Sequence, residues 1–204
     1  MHISCLGDSI RIQYTPRVIE LLGNDFSVFA PKENCRFAKY TLRGMFDWKK
    51  DMNGSRIVHF NNGLWDICDI FGDGMFTSET EYVETMLRIA KILQSRHEIV
   101  IFATTTPVSP KNLYNKNEDI RRYNELIVPL LKERGILIND LYSTVAADLD
   151  RYISSDTIHL TPVGIERCAV QVADAIRSAA SMLPSVKEAQ NADSTDALGA
   201  PIVL

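Results

Sequence analysis

Glu98-Ile99-Val100-Ile101-Phe102-Ala103 is apolar at every position after the first. A strand with one wet face alternates, whereas an unbroken run rich in β-branched residues belongs to a strand covered on both faces. Its flanks carry the opposite signature. Upstream, Thr77-Ser78-Glu79 offers a hydroxyl cap and acidic residues ahead of an apolar face at Tyr82, Met86, Ile89, Ile92 and Leu93, so a helix is expected there. Downstream, Asn117 to Arg134 reads as a second helix stopped by Gly135, and Ile136 to Ile138 as the next strand. Strands alternating with helices imply a parallel sheet covered on both faces.

The same alternation extends outward in both directions. Residues 2–7 read as the first strand, 16–22 as a helix beginning at Pro16, and 26–29 as the second strand. Tyr40 to Met52 reads as a helix, Arg56 to Phe60 as the third strand, and Thr161-Pro162 as the start of a final helix running to about Met182. The expected architecture is a three-layer α/β/α sandwich on a five-stranded parallel sheet. A length of 204 residues suits one such domain over 1–183, followed by a polar tail without periodicity over 184–204. Ligands of such sheets bind beyond the carboxyl ends of the strands, at the switch point.

Composition narrows the partners. Apolar residues make up 46% and charged residues 24%, and the net charge is −4. No basic run exceeds Lys49-Lys50 or Arg121-Arg122. A nucleic-acid or anionic-membrane surface needs a clustered positive field, so a small, non-polyanionic substrate is expected instead. The four cysteines, Cys5, Cys35, Cys68 and Cys168, are scattered and read as reduced thiols. No window is long and apolar enough to span a bilayer, and the first residues lack a charged leader, so a cytoplasmic protein is expected. No phosphate-cradling glycine loop or zinc spacing is present, and neither a cofactor nor a metal is expected.

Three segments at strand ends carry chemistry. Gly7-Asp8-Ser9-Ile10 closes the first strand. A serine there is exposed by a sharp exit, and its own N–H points to the same place, but the hydroxyl needs a base and oxyanion donors to act. Asp156-Thr157-Ile158-His159-Leu160 precedes the last helix. Its acid and imidazole are spaced so that the carboxylate can orient the ring while the other ring nitrogen faces a partner. Phe60-Asn61-Asn62-Gly63-Leu64-Trp65-Asp66 ends the third strand. A side-chain amide there can donate to a developing oxyanion, a contribution of about 3 kcal/mol. Asn62-Gly63 suits a turn, which favours Asn61 over Asn62 as the donor.

These three segments in this order resemble the sequence blocks of the SGNH/GDSL hydrolase superfamily over residues 2 to 180. The third segment resembles a branch that reads Asn-x-Gly-Leu-x-Asp. The resemblance implies the flavodoxin-like SGNH fold, with Ser9 as nucleophile, His159 as base and Asp156 as its orienter. It further implies an oxyanion hole from Ser9 N–H, Asn61 Nδ2 and a backbone N–H after the second strand. The family takes that last donor from a glycine. Here the loop reads Pro31-Lys32-Glu33-Asn34-Cys35-Arg36-Phe37, and the N–H of Cys35 or Arg36 is expected to substitute. The resemblance also points to short acyl esters, O-acetylated carbohydrate foremost, with lysophospholipids or acyl thioesters as the alternative, and a silent binding module as the third reading.

Other residues have competing readings. Asp8, Arg11, Asn62 and Trp65 are candidate substrate contacts. Arg11 could equally be solvated, and Trp65 could equally pack. Trp48 and His59 read as core residues, and Cys35 as a thiol near the site with no histidine partner legible in the sequence.

Overall fold

The apolar run becomes β4 (Ile99–Ala103), flanked by β3 (Ile57–Phe60) and β5 (Leu137–Asn139). With β1 (His2–Leu6) and β2 (Ser27–Phe29) these form one all-parallel sheet of order β2-β1-β3-β4-β5. The computed structural model describes residues 1–184. The expected tail lies outside these from 185 onward.

Helix α1 (Ser9–Leu22) packs against α8 (Pro162–Ser181) on one face of the sheet. On the other, α2 (Ala38–Asp47), α4 (Glu79–Gln94) and α5 (Asn117–Lys132) lie side by side. The expected three-layer α/β sandwich is the observed one. Central strands are apolar on both faces because both are covered, and the Phe60 and Phe102 rings meet across β3 and β4 at 5.4 Å. Among the described residues no helix is long and apolar enough to cross a membrane.

The differences from expectation are local. Helix α1 starts at Ser9, not at Pro16: the Asp8 carboxylate caps it by accepting the Ile10 N–H at 3.0 Å, and Pro16 sits on its exposed side. Capping and packing against α8 override a proline whose missing N–H faces water. Three short helices were not anticipated: α3 (Leu64–Ile67), α6 (Leu141–Ala146) and α7 (Leu149–Tyr152). Each is too short to show a period.

The sheet order reverses at β1, whose neighbours are β2 on one side and β3 on the other. The crevice between the ends of β1 and β3 is therefore the switch point. Leu6 and Phe60 are register partners there, which sets Ser9 and Asn61 at neighbouring strand ends.

Candidate active site

Ser9 is the first residue of α1, so its N–H has no intrahelical acceptor and stands at the positive end of the helix. Gly7 leaves room for this arrangement. A Cβ there would meet Asn61 Oδ1 at 2.4 Å and Arg11 Cβ at 2.8 Å.

The Asp156–His159 loop arrives from the far end of the chain. Ile153 and Leu160 form an antiparallel bridge, and Ser154 N–H donates to the His159 carbonyl at 2.8 Å. Inside this hairpin Thr157 adopts φ 76°, an unusual conformation for a β-branched residue. It is held by Asn112 Nδ2 on its hydroxyl at 2.9 Å and Ser109 N–H on its carbonyl at 2.9 Å. Within the loop, Asp156 Oδ2 lies 2.7 Å from His159 Nδ1, and His159 Nε2 lies 2.9 Å from Ser9 Oγ.

Burial opposes ionisation of Asp156. The Ile158 and His159 N–H groups, the His159 ring and the Ser154 hydroxyl outweigh it, holding the carboxyl below the ordinary range. An ionised Asp156 accepts Nδ1–H, which leaves Nε2 as the acceptor facing Ser9. The loop is docked by a ladder on α1. One turn after Ser9, Gln13 clamps the Leu160 backbone with contacts of 3.0 and 3.3 Å, and a turn later Arg17 pairs with Glu166 at 2.7 Å. The i, i+4, i+8 spacing of Ser9, Gln13 and Arg17 is legible in the sequence, but their partners His159, Leu160 and Glu166 are not.

Asn61 and Asn62 part company in the structure. Asn61 accepts the Asp8 N–H through Oδ1 at a long 3.4 Å, an orientation that leaves Nδ2 without a partner among the described residues. Asn62 is fully buried, and its Nδ2 donates to the Arg36 carbonyl at 2.9 Å. That removes Asn62 from the substrate contacts and makes it a tie between two loops.

Four further expectations are corrected. Cys35 N–H donates to the Gly7 carbonyl at 3.1 Å, and Arg36 N–H to Asn34 Oδ1 at 2.7 Å, so both expected backbone donors are occupied. Two donors remain, Ser9 N–H and Asn61 Nδ2. The Cys35 thiol is buried and its pKa is raised by that burial, the opposite of a reactive thiol. Asp8 is fully buried as the α1 cap, with its pKa raised by burial, and touches no solvent. Arg11 is neither solvated nor open to substrate. At 2% exposure, its guanidinium donates to the carbonyls of Pro31 (2.8 Å), Glu33 (2.9 Å) and Gly7 (3.2 Å), fastening the loop after β2 to the Gly7–Ser9 segment.

Asp66 is the last residue of the third segment. It is fully buried, and both its oxygens face the Ala38 N–H at 3.0 and 3.1 Å, capping α2, whose own cap position is Phe37. Burial pushes its pKa up to about 7. Gly63 allows this turn because a Cβ would strike Thr105 Oγ1 at 2.0 Å. Trp65 stays 39% exposed beside the site, whereas Trp48 is buried with Nε1 donating to Glu33 at 3.0 Å. His59 is a core residue on β3. Among the described residues no group of three or more His, Cys, Asp or Glu side chains is placed to hold a metal ion.

No family model matches the chain, and no curated protein matches it. Solved structures do. The acetyl xylan esterase AlAXEase superposes with a TM-score of 0.72 at 18% identity, over 86% of this chain and all (100%) of that one. A lipase/acylhydrolase from Enterococcus faecalis gives 0.69 at 15% identity, over 87% and 95%. Axe2, an acetylxylan esterase from Geobacillus stearothermophilus, gives 0.68 at 13% identity, over 84% and 91%. At these identities the likeness establishes the fold, which is that of the GDSL/SGNH acylhydrolases.

Proposed function

We propose that this chain, with the acylhydrolase fold and a Ser9–His159–Asp156 relay at its switch point, is a serine ester hydrolase acting on short acyl esters, O-acetylated carbohydrate first among them. The observation that carries the reading is the unbroken contact from Asp156 through His159 to Ser9 Oγ. A structural role does not call for an acid, an imidazole and a hydroxyl in series at a sheet's ligand-binding edge.

The chemistry follows from the donors and acceptors present. Ser9 Oγ attacks the ester carbonyl as His159 Nε2 takes its proton. Ser9 N–H and Asn61 Nδ2 receive the oxyanion, and Asp156 stabilises the imidazolium. The imidazolium then protonates the departing alcohol, leaving an acyl-serine. Water attacks the acyl carbon, giving its proton to His159, and collapse returns the proton to Ser9 Oγ as the acid leaves.

A second reading, toward longer acyl chains, draws on exposed apolar side chains near the third segment: Ile70 (49%), Phe71 (81%) and Phe76 (53%). The two separate on one experiment. Wild type hydrolyses p-nitrophenyl acetate and Ser9→Ala does not, with a rate loss of about 10⁴-fold or more. Rates falling as the acyl chain lengthens support the acetyl reading, and rates rising support the other. Equal rates for wild type and Ser9→Ala sink both.

A further inference from the structure

Arg36 stands out among the residues around the site. Its φ of 49° lies in the left-handed region, where a side chain is disfavoured. Asn34 Oδ1 on its N–H and Asn62 Nδ2 on its carbonyl hold it there. The side chain is exposed, with the guanidinium carbon 5.1 Å from the Tyr40 ring centroid and 5.9 Å from that of Trp65. Among the described residues it forms no ion pair and donates no side-chain hydrogen bond.

Nearby acids are committed elsewhere. The Glu33 carboxylate takes the Tyr40 hydroxyl and Trp48 Nε1, Asp66 faces the Ala38 N–H, Asp69 accepts from Gly72 and Gly74, and Glu81 pairs with Lys39. Arg36 is thus a cation set over two aromatic rings, with no carboxylate in ion-pair contact among the described residues. Its location is specific. The next residue back, Cys35, is bonded to Gly7, and Asn62, which holds the Arg36 carbonyl, adjoins Asn61. The backbone that carries Arg36 is therefore tied to both elements that would bind the ester carbonyl.

We propose that Arg36, seated on Tyr40 and Trp65, is a subsite for a substrate carboxylate, so that the preferred substrate is an acyl ester of an acidic, uronic-acid-type sugar. This rests on the ester-hydrolase reading above. A guanidinium whose faces lie on aromatic rings still presents its N–H edge, and that planar fork matches a carboxylate in two parallel hydrogen bonds. Stacking also restrains the side chain before substrate arrives, so less ordering remains to be done on binding.

The test compares kcat/KM on an O-acetylated methyl glucuronoside, whose carboxylate is free, and on the matching O-acetylated methyl glucoside. Wild type favours the acidic ester by about 10- to 100-fold, mostly through KM, and added salt erodes the preference. Arg36→Gly suits the left-handed backbone while deleting the cation, and it collapses the ratio. Arg36→Lys keeps the charge without the fork and recovers only part of it. No preference in wild type, or one that survives Arg36→Gly, overturns the inference. Calorimetric titration of Ser9→Ala with the same two esters reads the subsite without turnover. Binding that favours the acidic ester and needs Arg36, in a protein whose wild type cleaves neither ester, overturns the hydrolase reading and leaves the carboxylate subsite standing. Equal binding of the two esters overturns the subsite, whatever the turnover.

Discussion

Asp8, Arg11, Asn61, Asn62 and Asp66 are at most 5% exposed, whereas the side chains of Asp156 and His159, which reach Ser9 from the other end of the chain, keep 51% and 36% of their surface. The first group is a buried polar set, in which Asp8 caps α1 and the others tie separate segments together. The second is a hairpin on the surface, shaped by its own short hydrogen bonds and clamped by Gln13. Breaking a buried polar tie leaves partners unsatisfied and costs the fold, while altering an exposed relay costs the chemistry alone. Stability and activity should therefore be inseparable on the Ser9 side and separable on the His159 side.

The largest expected effect tests the separable half. Asp156→Asn preserves the shape of the loop but no longer holds Nδ1–H of the ring with a charged acceptor. The expected loss in kcat is about 10³- to 10⁴-fold. Because the carboxylate is half exposed, the thermal midpoint should move by only about 2 °C or less. Ester turnover and a melting curve on the same sample check both numbers. A large drop in midpoint would show that the hairpin is part of the structural core, and the contrast between the two sides would fail.

The converse test is Arg11→Met. It keeps the bulk of the side chain but strips donors from the carbonyls of Gly7, Pro31 and Glu33 and removes the cation near buried Asp8. A cost of about 3–5 kcal/mol is expected in urea unfolding, with activity falling as well because the loop holding Cys35 and Arg36 comes loose from Gly7. A variant that kept its stability and lost only activity would place Arg11 with the relay instead.

This same division explains what could be read in advance. The alternation of strands and helices, the helix faces and the Ser9, Asn61, Asp156 and His159 motifs are local patterns, carried by periodicity and spacing within short windows. The roles of Arg11, Asn62 and Asp66 are not local. Arg11 sits on the first turn of α1, and nothing about that position says that two carbonyls from the loop after β2, Pro31 and Glu33, join Gly7 O around it. Asp66 caps a helix that begins at Ala38, a contact between segments far apart in the chain. The expected backbone donors failed for a related reason. Cys35 and Arg36 lie where the donor was sought, but whether an N–H is free depends on acceptors that only the folded loop supplies, Gly7 O and Asn34 Oδ1.

The smallest effect sharpens the comparison through pH, because the buried side contains groups that titrate in the acid range while Asp156 stays ionised below it. Burial pushes the His59 pKa down to about 4, and Asn139 Nδ2 at 3.1 Å from Nε2 leaves Nδ1 without a partner. Between its ordinary value and 4 the unfolded chain binds a proton that the folded one does not, so this group makes stability fall as pH falls. Asp66, raised to about 7, holds a proton in the folded state that the unfolded chain has released, so it makes stability fall as pH rises. The two slopes oppose each other over about pH 4 to 6.5. Relative to wild type, His59→Gln should tilt unfolding free energy downward with rising pH, and Asp66→Asn should tilt it upward, each by about 1.4 kcal/mol per pH unit. Asp156→Asn should leave the slope unchanged in that window, since its carboxylate is ionised in both states over most of it. Urea titrations at half-unit steps measure all three. A tilt from Asp156→Asn as large as those from the buried pair would mean that the exposed relay is coupled to the fold after all.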